Sequence, residues 1–134
     1  MRWLLDTSIC IYLIKKKPSS VIAQLESHPL GEVGVSSVTV AELCYGVEKS
    51  SYPSRNREAL ERFLIPLAIA DFDYLAAEAY GEIRATLEAL GMPIGPLDML
   101  IAAHAVSLGA ALVTNNVQEF ARIPNLKITN WVTE

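Results

Sequence analysis

Side chains able to bind a cation or move a proton recur at one kind of place in this chain, where an apolar run ends or a helical pattern begins. They are Asp6, Glu42, Asp98 and the turn Thr114-Asn115-Asn116. Asp6 closes the apolar run Trp3-Leu4-Leu5, and open parallel sheets hold their ligand crevice outside such strand ends. Asp98 heads a helical stripe continued by Ile101, Ala102, Ala105 and Gly109, so its carboxylate faces inward and needs helix N–H groups or a cation. Brought together, such acids repel: two carboxylates about 4 Å apart cost roughly 4 kcal/mol at an effective dielectric of about 20. Protons or a divalent cation must then relieve the charge. Oxygen donors without sulfur or imidazole suit the hard ions Mg2+ and Mn2+ rather than Zn2+. Neither histidine competes, since His28 precedes Pro29 in a loop and His104 lies about 240° round its helix from Asp98. Both are read as structural or surface residues.

Each of these positions also has a plain structural explanation. Asp6 before Thr7-Ser8 is a good helix N-cap, and taken alone that is its stronger reading. Thr39-Val40-Ala41-Glu42 fits a capping box, and Asp98 occupies a first turn where the helix dipole favours an anion. Asparagines 115 and 116 are common turn formers.

The elements that must position these residues alternate. A strand to Leu5 passes into a helix ending near Lys15–Lys17, and Pro18 stops it. Ser19-Ser20 are expected to cap a helix from Val21 to about Ser27, before a strand over Glu32–Ser36 and a helix from Ser37 to about Val47. Ser50–Ser54, containing Pro53, reads as a loop, followed by a helix from Arg55 to about Leu64 and a strand over Leu67–Ala70. Asp71-Phe72-Asp73 turns into a helix from Tyr74 to Leu90, closed by Gly91. A further helix, opened by Gly95-Pro96, runs from Leu97 to about Leu108. Ala111–Thr114 is a strand, Val117–Ala121 a short helix and Leu126–Thr129 an edge strand. The pattern predicts an α/β sandwich with a mostly parallel sheet of four to five strands, in one domain over residues 1–134.

Bulk properties narrow the classes. The 134 residues are 51% hydrophobic and 19% charged, which suits a buried core and excludes a disordered chain. The net charge of −4 offers no general attraction to nucleic acid or membrane, so any role on a polyanion needs a local site, a metal or a basic partner. Cys10 and Cys44 stand singly in apolar patterns, as reduced cysteines do. With no apolar run near about 18 residues and no signal-peptide pattern, a cytoplasmic protein is expected.

Four stretches together, LLDTSI, SSVTVAELCYGVEKS, PIGPLDMLIAAHA and LVTNNVQEFARIPNLKITNW, resemble the PIN-domain ribonucleases, and among them the VapC-type toxins of bacterial toxin–antitoxin pairs. The resemblance spans essentially the whole chain, in order and at family spacing. It implies a PIN-like α/β/α sandwich and a Mg2+- or Mn2+-dependent endoribonuclease, commonly acting on tRNA and held inactive by a VapB-like antitoxin. By position it makes Asp6 and Asp98 metal-binding aspartates and Glu42 the acid of the third helix, a water ligand or general base. Asn116 takes the slot where many members have a fourth aspartate, leaving three carboxylates, with one-metal and two-metal chemistry both open. Thr114 belongs to the same motif, with Thr7 and Asn115 in support. Lys15 to Lys17, Lys49, Arg55, Arg57 and Arg84 are available for flanking phosphates, and Tyr45 and Tyr80 for stacking on a base, although core or dimer packing suits the tyrosines better.

Other readings fit less well. A haloacid-dehalogenase-like phosphatase needs a second Asp two positions after the first, where this chain has Ser8, and a receiver-like domain needs adjacent acids after the first strand. The alternative from another class is a PIN-like domain that binds RNA or a partner without cutting. High apolar content, with a mean hydropathy of +0.30, points to surface covered by self-association as a homodimer and by an antitoxin segment.

Overall fold

The structure, a computed structural model, describes residues 1–133. Its centre is the strand β1 (Trp3–Leu5), paired in parallel with β2 (Val33–Ser36) on one side and β4 (Ala111–Val113) on the other. Beyond β2 lies β3 (Ala68–Ala70), and beyond β4 lies β5 (Ile128–Thr129), giving one parallel sheet in the order β3-β2-β1-β4-β5. The chain steps outward from β1 to β3 and then returns to the opposite flank at β4. The order therefore reverses between β1 and β4, which is where such sheets open a crevice at their carboxyl ends.

Side-chain alternation along β1 divides the core in two. Leu4 and Leu112 face the helices α5 (Tyr74–Ala89) and α6 (Pro96–Leu108), among Ile83, Leu87 and Ile101. Leu5 and Val113 face the other layer, where Ile9 and Leu13 of α1 (Thr7–Lys15), Val21 of α2 (Ser19–Glu26), Leu43 of α3 (Ser37–Lys49) and Leu60 of α4 (Pro53–Leu64) pack together. A short helix α7 (Val117–Phe120) follows β4 and inserts Phe120 into the first layer. Gly34 is required where β2 meets β3, because a Cβ there would stand 2.6 Å from the Ala68 carbonyl oxygen.

The expected α/β sandwich is present, with five strands, all parallel. Several boundaries shift by one or two residues, and one expected cap differs from the sequence reading. Helix α4 starts at Pro53, because Pro is pre-shaped for the first helical position, so the expected loop is shorter. Helix α2 includes Ser19 and Ser20 and takes its N-cap from Pro18 without a side-chain bond. The stretch Thr39–Glu42 is not a capping box: Ser36 caps α3 by accepting from the Val38 N–H at 3.0 Å, and Thr39 is buried inside the helix.

Candidate active site

Asp6 leaves β1 with its backbone N–H donating to the Val113 carbonyl at 3.0 Å, which ties it to the end of β4. Its Oδ1 accepts from the Ile9 N–H and from the Ser8 hydroxyl, each at 2.9 Å, so Asp6 does cap α1. It is nevertheless only 5% exposed, and the cap does not neutralise it. Burial pushes its carboxyl above the usual aspartate range; bonds from Thr114, Ile9 and Ser8 pull it back, and the charge of Glu42 raises it further.

Glu42 reaches the same place from α3. Thr7, the first residue of α1, donates its hydroxyl to Glu42 Oε1 at 2.5 Å. The bond fixes one carboxylate oxygen and joins the start of α1 to the second turn of α3. Asp98 arrives from the first turn of α6, after Pro96. Its pKa is pushed up to about 6, first by burial, then by a hydrogen bond and charge from Glu119, then by the charges of Asp6 and Glu42. Three acids separated by most of the sequence thus share one electrostatic neighbourhood.

Glu119 is the acid that sequence reasoning missed. Helix α7 begins after Asn116, and Glu119 lies in its first turn, so the chain bends the carboxylate back toward Asp98. Asn116 donates its side-chain amide to Glu119 Oε2 at 3.2 Å, while its backbone N–H donates to Thr114 Oγ1 at 2.9 Å. Glu119 therefore supplies the charge that Asn116 lacks, and the neighbourhood holds four carboxylates rather than three. The legible signal was Asn-x-x-Glu at a helix start, where the first and fourth residues face one another.

The supporting residues divide. Thr7 and Thr114 touch the acids, Thr114 from full burial. Asn115 turns away, donating to Tyr12 Oη at 3.4 Å and accepting from Asn130 at 3.2 Å. Among the basic residues, Arg57 is paired with Glu48, and Arg84 with Glu88 and Tyr80, whereas Lys15 and Lys49 line apolar grooves that also contain Glu42. Tyr45 is exposed beneath the Lys49 ammonium, 5.0 Å from its ring.

The donor set suits a hard divalent cation, because the converging acids and hydroxyls offer oxygen, and burial together with neighbouring carboxylates raises both Asp6 and Asp98. Among the described residues, no three acid, histidine or cysteine side chains are gathered tightly enough to form a preset cage. A cation would have to draw Asp6, Glu42, Asp98 and Glu119 inward against the Thr7–Glu42 and Asp98–Glu119 contacts.

The sign of the resulting pH effect is fixed by the raised Asp98 pKa. The native state binds this proton more tightly than the unfolded chain, so its stabilising contribution is complete below about pH 4 and disappears as pH rises through about 6. In EDTA at pH 7.5, Asp98→Asn is therefore expected to raise the melting temperature by a few degrees, the shift that about 1 kcal/mol produces. At pH 4 the gain should vanish. A lower melting temperature for the variant at pH 7.5 would show that Asp98 is not held among like charges.

A family model for the PIN domain matches residues 3–126. The chain is 44% identical over 131 residues to the "tRNA(fMet)-specific endonuclease VapC" of Shigella flexneri and 46% identical over 132 residues to the "Ribonuclease VapC2" of Rickettsia felis, covering 98% of both chains in each case. Among solved structures, it superposes with a TM-score of 0.91 on the VapBC2 complex of Rickettsia felis bound to a promoter DNA fragment, at 44% identity, covering 98% of this chain and 100% of that one. The DNA-bound VapBC complex of Salmonella typhimurium gives 0.94 at 42% identity, covering 98% and 99%. With a parallel sheet that carries its acids at the carboxyl edge, and with relatives this similar along its whole length, the chain belongs to the PIN-domain family, among the VapC ribonucleases.

Proposed function

We propose that this chain is a Mg2+- or Mn2+-dependent endoribonuclease toxin that cuts tRNA and is neutralised by a VapB-type antitoxin. The observation that carries the reading is the convergence of Asp6, Glu42, Asp98 and Glu119, where burial first, and then the hydrogen bond and charge of Glu119 and the charges of Asp6 and Glu42, raise Asp98 to about 6. The ribonuclease names of the relatives, one of them for tRNA(fMet), and the VapBC complexes among the structural matches supply the substrate and the partner. A bound divalent cation supplies the Lewis acidity and positive charge that phosphodiester hydrolysis requires.

The chain's own residues do the rest. Asp6, Asp98 and Glu42 would hold the ion, with Glu119 completing the charge and Asn116 orienting Glu119. Glu42, which the Thr7 hydroxyl holds in the ion-free protein, would turn toward the ion and be placed to accept a proton from the attacking water. Thr114, the Ile9 N–H and Ser8 pull the Asp6 carboxyl back toward its ordinary range against burial. Lys15 and Lys49, at the edges of the acid pocket, are placed to receive flanking phosphates. A PIN-like domain that binds without cutting would have no use for four acids held at this cost.

Purified protein is expected to cleave total tRNA in Mg2+ or Mn2+ and to stop in EDTA. Asp98→Asn should lower the rate by at least about a hundredfold while the far-UV spectrum is unchanged. Asp6→Ser keeps a capping oxygen on α1 and should retain the fold but lose the activity. Full cleavage by either variant, or none by the wild type, would reject the nuclease reading.

The partners follow from apolar surface. Beside Glu42, a groove of about 320 Å³ between α1, α3 and α4 presents Ile11, Ile14, Leu43 and Val47, with Lys15 at its rim. It suits an apolar antitoxin segment that carries a basic residue toward the acids. Elsewhere Tyr74 is 76% and Leu75 61% exposed, and Leu97 stands open near Val38, surface that a second copy would cover. The working unit is then a homodimer of one-domain chains, in the cytoplasm; among the described residues no helix is long and apolar enough to cross a membrane. Sedimentation at micromolar concentration should give a dimer, and a persistent monomer under conditions of full activity would remove that part of the reading.

A further inference from the structure

Away from the acids, one buried imidazole has no part in the chemistry above. His104 lies on α6, fully buried, with Nδ1 2.7 Å from Ser36 Oγ. Ser36 is the residue that caps α3, its Oγ already accepting the Val38 N–H. The remaining ring nitrogen, Nε2, is buried without a hydrogen-bond partner. The ring meets Phe72 edge-on, with centroids 5.4 Å apart, and the Phe72 N–H donates to Ser37 Oγ at 3.1 Å. Three segments are thus knotted at one point: the start of α3, the middle of α6, and the turn from β3 into α5.

We infer that His104 is a positioning residue, which sets Glu42 relative to Asp98 by holding the capping residue of α3 against α6. Glu42 lies six residues beyond Ser36 on α3, and Asp98 six residues before His104 on α6. The Ser36–His104 bond is a direct polar link between the two helices that carry those acids. With both polar atoms at full burial, apolar packing alone would serve better at this point, since burying hydroxyl and imidazole without full partners is unfavourable. Leucine of similar volume would pack against Phe72 without restraining Ser36. What imidazole adds is direction: a single bond that allows one rotation of α3 about its first turn. Groups that orient metal-binding side chains through hydrogen bonds typically change metal affinity or activity by about 10–100-fold when removed.

The inference rests on Glu42 and Asp98 forming one cation site, and its test separates the two claims. Mn2+ affinity, read by calorimetry or electron paramagnetic resonance at 20 °C, is measured on the wild type, Glu42→Gln, His104→Leu, His104→Asn and the Glu42→Gln/His104→Leu pair. Weaker Mn2+ binding by Glu42→Gln establishes the site; no change there refutes the site itself. His104→Leu is then expected to weaken Mn2+ binding and to lower kcat for tRNA cleavage by about tenfold, with KM unchanged. His104→Asn, whose amide can take the place of Nδ1, should recover most of both. In the Glu42→Gln background, His104→Leu should cost little more, because the residue it positions is already altered. A folded His104→Leu with wild-type Mn2+ affinity and kcat would overturn the inference, as would an undiminished loss in the double variant. If leucine does not fold at position 104, Ser36→Ala breaks the bond from the other side, and wild-type Mn2+ affinity in that variant overturns it equally.

Discussion

The constraint on which this structure turns is the repulsion among carboxylates placed beside one another with little water. Two such charges about 4 Å apart oppose one another by roughly 4 kcal/mol at an effective dielectric of about 20. The helix start that receives Asp6 returns about 0.3–1 kcal/mol, or up to about 2 in a partly buried setting. Local donors therefore soften the conflict without removing it, and burial first, with neighbouring charge added to it, leaves the Asp6 and Asp98 carboxyls raised. A proton relieves it at low pH. At neutral pH a divalent cation would do so, and the same cation would make an acidic surface compatible with a phosphate backbone.

The fold supplies the geometry for this conflict with few parts. Because β1 is central and the strand order reverses beside it, the carboxyl ends of β1 and β4 lie together, and Asp6 is bonded directly to Val113. Two helix starts, α1 and α6, aim their acids at that edge, while Glu42 comes from the second turn of α3 and must be oriented by other means. Thr7 does this from within the pocket through its 2.5 Å bond to Glu42. The layers on either face, one around Leu4 and the other around Leu5, keep these elements in register.

Much of this arrangement was legible in the chain, for physical reasons that differ by residue. Asp6 and Asp98 stand at strand and helix ends that periodicity marks clearly, and Asp6 proves to be both cap and pocket acid. Glu42 was harder, because Thr39–Glu42 imitates a capping box; the true cap, Ser36, lies three residues earlier, and only the strand boundary reveals it. Glu119 was hidden by position: counting along β4 points to Asn116, whereas the helical turn that follows carries the charge three residues farther on. The Ser36–His104 bond spans 68 residues and joins two side chains that each look ordinary in their own segment. No local pattern encodes a contact of that separation.

The central claim, that these acids form a single cation site whose charge is otherwise relieved by a proton, can be measured directly. Titrating the protein with Mn2+ at pH 6, in two buffers of different ionisation enthalpy, counts the protons released on binding. With Asp98 raised to about 6, about half a proton should leave per ion bound, and the release should fall toward zero at pH 8. Binding without proton release at pH 6 would contradict a site in which Asp98 and the cation compete.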